Sequence, residues 1–235
     1  MSMPQTDESG ILLIDKPPGM TSHDVVDGIR RRFGFKKVGH AGTLDPMATG
    51  LMILLIGKAT KLSAAFLNDD KAYEAKIRLG VVSDTGDIFG NVLEERSYAV
   101  SESDIIEAVS RFRGEIEQVP PMFSAKRHKG KKLYQYARRG ISVEREPRKV
   151  NVKALEICGI CLPDIDIKVT CSKGTFIRQL AVDIGESLGA GAAVAALRRT
   201  LSGRFSVGNA IGFGALMNMS KVEVVGHMIT GGESA

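Results

Sequence analysis

Long apolar runs are missing from this 235-residue sequence. The longest is six residues, far short of the roughly 20 that a membrane-spanning helix needs. Residues 1–10 are polar and acidic, with neither a basic n-region nor an apolar h-region, so no signal peptide is expected. Cysteine is scarce too: the count is three, odd, and fits free thiols in a reducing cytoplasm. Cys158 and Cys161 form a C-x-x-C, but a structural zinc site wants four ligands. The only further Cys is Cys171, and His23, His40, His128 and His227 are scattered. Both Cys are therefore expected as small hydrophobes within a strand. Gly57-Lys58 lacks the earlier glycine and the following Ser or Thr of a P-loop. Asp84 and Asp87 lack the other oxygen ligands of an EF-hand loop. Repeats, low-complexity tracts and a clear interdomain linker are also missing.

What is present is ordinary for a globular chain: 43% hydrophobic, 25% charged. The length is enough for a real core, in one large domain or two small ones. The net charge of +5 and a pI near 9.1 favour a polyanionic partner. Residues 10–14 read as a strand ended by the Pro17-Pro18-Gly19 turn. Ser22 is placed to cap a helix with Val25, Val26, Ile29 and Phe33 on its apolar face. Arg30, Arg31 and Arg32 close that helix, suiting either its C-terminal dipole or a phosphate. Residues 51–56 read as a central strand, apolar on both faces. A helix is expected after Lys58, to about Leu67. Residues 72–79 alternate, placing Tyr73 with Ala75, Ile77 and Leu79. Ser101 with Asp104 opens a scaffold helix. Residues 149–162 and 164–171 read as two strands turning at Pro163. Thr175 is placed to cap a helix through Leu188, and the tail from Val207 shows no strong pattern. Strands and helices mix without a strict βαβ rhythm, so the expected class is α+β.

Two stretches carry chemistry. In Gly39-His40-Ala41-Gly42-Thr43-Leu44-Asp45-Pro46-Met47-Ala48-Thr49-Gly50, the glycines suit sharp turns or close approach to a ligand. Pro46 biases Asp45 toward an extended backbone. A lone carboxylate on a stiff loop, against a buried strand, is well placed to act on a substrate; the plainer alternative is a turn cap. In the second stretch, residues 126–139, seven of fourteen residues are Lys or Arg, and no acid occurs between Gln118 and Val143. Tyr134, Tyr136 and His128 are interleaved, and Gly130 offers a hinge. This composition suits a segment that grips nucleic acid, against the plainer reading of a solvated face.

The wording of the Asp45 loop closely resembles the catalytic loop of the TruB family, the bacterial tRNA pseudouridine-55 synthases. Further matches follow in order: Lys16-Pro17-Pro18-Gly19-Met20-Thr21-Ser22, the Lys71-Ala72-Tyr73 neighbourhood, Ser83-Asp84-Thr85-Gly86-Asp87, Val119-Pro120-Pro121-Met122-Phe123-Ser124-Ala125, Gly130-Lys131-Lys132-Leu133-Tyr134, and Cys171-Ser172-Lys173-Gly174-Thr175-Phe176-Ile177-Arg178. The resemblance implies a pseudouridine synthase core, a mixed, largely antiparallel sheet flanked by helices with a basic RNA-gripping insertion. It implies a catalytic domain over residues 10–207, the insertion at about 120–149, and an abbreviated tail at 208–235. That tail is too short for the PUA-type domain of many relatives.

The implied reaction breaks the N1–C1′ bond of uridine 55 in the T-loop, turns the base and joins C5 to C1′. A carboxylate is the usual nucleophile or cation stabiliser at an anomeric carbon. An Arg paired with it keeps it ionised in a pocket that excludes water. The resemblance makes Asp45 the catalytic carboxylate, Tyr73 the stacking platform (core packing is its plainer role) and Arg178 the partner of Asp45. It makes Asp87 a support for that Arg, and Phe176 and Leu197 pocket residues. His40 lies where the family contacts RNA around an extruded nucleotide. Lys126, Arg127, Lys129, Lys131 and Lys132 are expected to bind the substrate. Lys16 is expected to support the loop and stands outside the catalytic set. Phe176 stands where Tyr is commoner, which keeps an apolar wall and loses a hydroxyl. No cofactor or metal is expected, no membrane and no protein partner; the partner is the T-arm of tRNA, met by a cytoplasmic monomer.

Overall fold

The computed structural model describes residues 8–230. Most of the stretch on which the signal-peptide expectation rests, residues 1–7, lies outside the described residues, as does the end of the tail from 231. The chain divides into two compact units, one running to Asp69 and resuming at Arg198, the other Asp70–Leu197.

The first unit opens with β1 (Gly10–Lys16), α1 (Ser22–Phe33), β2 (Val38–His40), β3 (Thr49–Ile56), a 3₁₀ turn over Gly57–Leu62 and α2 (Ser63–Leu67). β1 and β3 pair antiparallel over their full length, from Gly10 opposite Ile56 to Lys16 opposite Gly50. Every residue of β3 after Thr49 is buried. Met52, Leu54 and Ile56 pack with Leu12, Ile14 and the apolar stripe of α1. Leu51, Ile53 and Leu55 pack on the other face with Ile11, Leu13 and Phe205. At about 1.5–3 kcal/mol for each large aliphatic side chain buried, this two-sided strand is the anchor of the unit.

The helix start differs in one residue from expectation. Thr21, with Asp24, makes the capping box of α1, which leaves the buried Ser22 hydroxyl for another task described below. At the other end, Arg30 pairs with Asp27, and Arg32 donates to the carbonyls of Met217 and Met219. These two arginines therefore serve the helix and its neighbours.

The second unit contains β4 (Lys71–Leu79), β5 (Val81–Ser83), β6 (Val92–Glu95), α3 (Glu102–Ser110), β7 (Gly114–Gln118), β8 (Arg127–His128), β9 (Lys131–Lys132), α4 (Leu133–Ala137), β10 (Arg148–Cys161), β11 (Asp164–Cys171), α5 (Ile177–Ser187) and β12 (Ala192–Ser202), whose end from Arg198 belongs to the first unit. Its sheet runs in the order β12, β4, β11, β10, β7. The pairs β4–β11, β11–β10 and β10–β7 are antiparallel. Ala75, Ile77 and Leu79 are buried as the alternation predicts, and α3 and α5 flank the sheet.

Three expectations are corrected here. Cys158 and Cys161 are exposed, because the distal end of β10 runs beyond the buried stretch that closes at Leu155. Thr175 does not cap α5: its hydroxyl donates to Ser172 O, and Phe176 takes the cap position without a side-chain bond. The Gly-Ala stretch before Leu197, whose composition gives no strand signal, supplies the first half of β12, Ala192 to Ala196.

The tail re-enters the first unit as β13 (Phe205–Ser206), β14 (Ile211–Gly212), α6 (Phe213–Met217) and α7 (Lys221–Gly226). β14 pairs parallel with β1, and Leu216 and Val224 are fully buried in the core against α1. The class is α+β with a largely antiparallel sheet flanked by helices. Among the described residues, no helix is long and apolar enough to cross a membrane.

Candidate active site

Asp45 lies half-buried between β2 and β3, on a loop fixed from several directions. The Ser22 hydroxyl accepts from Leu44 N at 2.8 Å and donates to Leu44 O at 3.1 Å, gripping the residue just before the carboxylate. On the other side, Pro46 O accepts from Gly19 N at 2.9 Å and from the Lys16 ammonium at 3.2 Å. Lys16 has no exposed surface. Its remaining two donors reach Pro17 O at 2.8 Å and Met20 O at 2.7 Å, so the ammonium is fully satisfied. Burial lowers its pKa to about 8, against the opposing pull of the Asp45 and Asp24 carboxylates.

Arg199 holds the far side of the loop. It is 1% exposed, and its guanidinium donates to Leu51 O at 2.7 Å and Gly42 O at 3.2 Å. The glycines answer it. Gly50 adopts φ +99°, and a Cβ there would stand 2.3 Å from Arg199 O. His40, half-buried on β2 opposite Leu54, belongs to the same unit. Of these supports, Lys16 was legible as a loop residue; Arg199 carried no signal in the sequence beyond its place after Leu197.

The second unit brings together a different set. Arg178 is 5% exposed in the first turn of α5. Its guanidinium donates to Thr85 O at 2.5 Å and Phe123 O at 2.7 Å and lies 3.7 Å from the Asp87 carboxylate. Asp87, 7% exposed, is itself fixed. Its Oδ1 accepts from the Thr85 hydroxyl at 3.0 Å and Phe89 N at 3.1 Å. The structure thus brings Asp87 and Arg178 together, with two carbonyls added that the sequence did not disclose. Tyr73 is half-buried on β4, opposite Val169 on β11. Phe176 caps α5 two residues before Arg178, and Leu197 is 7% exposed on β12.

The basic segment is a hairpin followed by a short helix. Arg127 pairs with Lys132 and His128 with Lys131, leaving Lys129-Gly130 as a two-residue turn. Both turn residues have positive φ, 47° and 83°, as a type I′ turn requires. Arg127, Lys129 and Lys131 are exposed, whereas Lys126 and Lys132 are half-buried. Burial, with Arg148 nearby, lowers the Lys126 pKa. Tyr134 has the Lys132 ammonium 5.7 Å and the Arg138 guanidinium 5.3 Å from its ring centre. Among the described residues there is no group of three or more His, Cys, Asp or Glu arranged to hold a metal ion.

Known proteins share both the sequence and the fold. A family model described as the N-terminal domain of the TruB family pseudouridylate synthases matches residues 30–177, and one for the tRNA pseudouridylate synthase B C-terminal domain matches residues 178–225. A tRNA pseudouridine synthase B of Azoarcus sp. is 49% identical over 91% of this chain and 71% of its own length. One from Protochlamydia amoebophila is 47% identical over 95% of this chain and 85% of its own. Among solved structures, a Cbf5-Nop10-Gar1 complex contains a chain 33% identical, with a TM-score of 0.72 over 90% of this chain and 54% of that one. An H/ACA RNP bound to a substrate RNA containing 2′-deoxyuridine contains a chain 31% identical, with a TM-score of 0.67 over 90% and 53%. The chain spans about half the length of those two solved relatives. The family model over residues 30–177 and the relatives at about half identity show that the chain belongs to the TruB family of pseudouridylate synthases.

Proposed function

We propose that the protein isomerises uridine 55 in the T-loop of tRNA to pseudouridine, as a cytoplasmic monomer that needs no cofactor and no protein partner. Asp45 supplies the carboxylate at C1′. The N1–C1′ bond breaks, the base turns, and C5 bonds to C1′; C5 loses its proton and N1 gains one, so the product is an isomer. Asp45 performs this either by attack on C1′ or by removing a proton in a glycal route. Tyr73 gives the detached base an aromatic face, and Arg178 supplies the positive charge that favours an ionised carboxylate. His40 serves the RNA around the extruded nucleotide. Phe176 and Leu197 wall the pocket.

Residues 10–207 carry the catalytic work in this reading, with the insertion at about 120–149 gripping the T-arm. Lys126, Arg127, Lys129, Lys131 and Lys132 act there through phosphates. The observation that carries the reading is the setting of Asp45, a half-buried carboxylate whose neighbours Leu44 and Pro46 are clasped by Ser22 and Lys16. It is supported by relatives at about half identity that bear the name tRNA pseudouridine synthase B. A second reading, the same chemistry on a uridine of another RNA, draws on the likeness to the H/ACA RNP chain with its substrate RNA.

The test incubates the protein with an unmodified tRNA transcript and maps pseudouridine at single-nucleotide resolution, beside Asp45→Asn. Pseudouridine at position 55 alone, lost in the variant, is the expected result. Pseudouridine elsewhere moves the assignment to the second reading. Intact tRNA binding without any pseudouridine overturns the first reading, and the same blank on rRNA and mRNA transcripts overturns the second.

A further inference from the structure

The start of α5 lacks the usual devices of a helix N-terminus. Phe176 in the cap position has no side-chain oxygen. The Thr175 hydroxyl is spent on Ser172 O, and Gln179, at the third helical position, donates to Asp183. The main-chain N–H of Phe176 is instead served from another element. Gln118, the last residue of β7 and 2% exposed, accepts from Phe176 N at 3.0 Å and donates to Phe176 O at 3.3 Å. One buried amide thus engages both main-chain polar groups of a single residue, much as a neighbouring strand would.

Two residues on, Arg178 occupies an unfavourable place for a cation. The first turn of a helix presents unpaired N–H groups and the positive end of the helix dipole, so its own helix gives that guanidinium no help. It is held by Thr85 O and by Phe123 O. Phe123 lies five residues past Gln118 on the same segment. That segment therefore fixes the helix start through Gln118 and the guanidinium through Phe123. Loss of the first clasp removes the bond that sets the main chain at the helix start, while the guanidinium stays held by Thr85 O, Phe123 O and Asp87.

We propose that Gln118 is a positioning residue for the reaction. Through the main chain of Phe176 it sets the start of α5, and with it the aim of Arg178, without itself meeting the RNA. This rests on the role given to Arg178 above.

Wild type, Gln118→Met and Gln118→Glu are compared on unmodified tRNA transcript, under single-turnover conditions with enzyme in excess. Met matches the shape of Gln with neither hydrogen bond; Glu keeps the acceptor and loses the donor. The Met variant is expected to lower the single-turnover rate constant by about 10-fold or more, the order seen when the partners that orient metal-ligating side chains are removed. The amplitude stays full and the tRNA dissociation constant is unchanged, with Glu falling in between. A merely structural role lowers amplitude and leaves the rate constant of the active fraction alone. That outcome, or a Met variant at the wild-type rate, overturns the proposal. If Gln118→Met does not fold, Gln118→Glu decides, and a wild-type rate there overturns it. Wild type that binds tRNA and forms no pseudouridine removes the underlying reading as well, and is told apart from failure of Gln118 alone by the wild-type lane.

Discussion

The Lys16 ammonium donates to the carbonyl of Pro46, the residue after Asp45, at 3.2 Å. A fully buried lysine is thus spent on the shape of a loop and on no carboxylate of its own. Lys16→Met would leave the half-buried carbonyls of Pro17 and Met20 without this donor, while Pro46 O keeps its bond from Gly19 N, at about 1 kcal/mol or more for each one left unpaired. The expected loss in unfolding free energy by denaturant titration is about 2 kcal/mol; a loss under 1 kcal/mol contradicts the assignment.

The same lysine gives a pH signature. Burial holds its folded pKa at about 8, below the usual 10.5. Across that window the unfolded chain binds a proton that the folded chain has released, so the wild type gains stability as pH rises from 8 to 10.5. The gain is at most about 3 kcal/mol by linkage, read as the difference from Lys16→Met so that other titrations cancel. A difference that is flat or falls with pH counts against it.

Gly50→Ala tests the close packing of the loop on Arg199. The new Cβ would stand 2.3 Å from Arg199 O, at a backbone φ of +99°. Neither atom can yield cheaply where Gly50 and Arg199 are paired in a parallel ladder. The expected cost is roughly 2–4 kcal/mol, measured by thermal or chemical unfolding. Gly19→Ala shares the positive φ but meets nothing within 4 Å, and is expected to cost less.

At the tip of the basic hairpin, Lys129 is the one non-glycine residue with positive φ among those described. Asn is far better suited to that turn position, so Lys129→Asn should raise stability by about 0.5–1 kcal/mol. It should also reduce the slope of log affinity for tRNA against log salt by about 1, the signature of one lost phosphate contact. Stability that rises with an unchanged slope would leave Lys129 outside the RNA interface.

The thiols should divide two to one. Cys158 and Cys161 are exposed, while Cys171 is buried and its pKa is pushed up to about 11 by that burial. A thiol-reactive reagent near neutral pH is expected to label Cys158 and Cys161 in the native protein and all three Cys only after denaturation. Rapid native labelling of Cys171 would contradict its burial.

The sequence disclosed elements where one strong pattern acts alone. The two-sided apolar run of β3, the stripe of α1 and the alternation of β4 are each decided by local periodicity. β12 escaped because alanine carries little strand preference and no alternation, and only its place within the sheet makes it a strand. The tail escaped for a related reason: α6 and α7 are five and six residues long, too short for periodicity, and their order comes from burying Leu216 and Val224. At the candidate site, the Gly-rich loop drew attention to Asp45, and the resemblance to the family pointed to Asp87 and Arg178. Their supports did not announce themselves, since Ser22, Gln118 and Arg199 act on main-chain groups that only folding brings near. Cys158 and Cys161 were misjudged because a strand pattern does not tell where a long strand leaves its core.

The order of synthesis gives the Arg199 clasp a temporal meaning. Its guanidinium meets Leu51 O across 148 positions of chain, and β14 reaches β1 from further still. As the polypeptide leaves the ribosome, residues 70–197 have every element of their own unit available before the first unit can close. The carboxylate loop thus stays unclasped on this side until Arg199 has been made, after every residue of the second unit. A newly made molecule has its second unit complete before the Asp45 loop can be held from both sides.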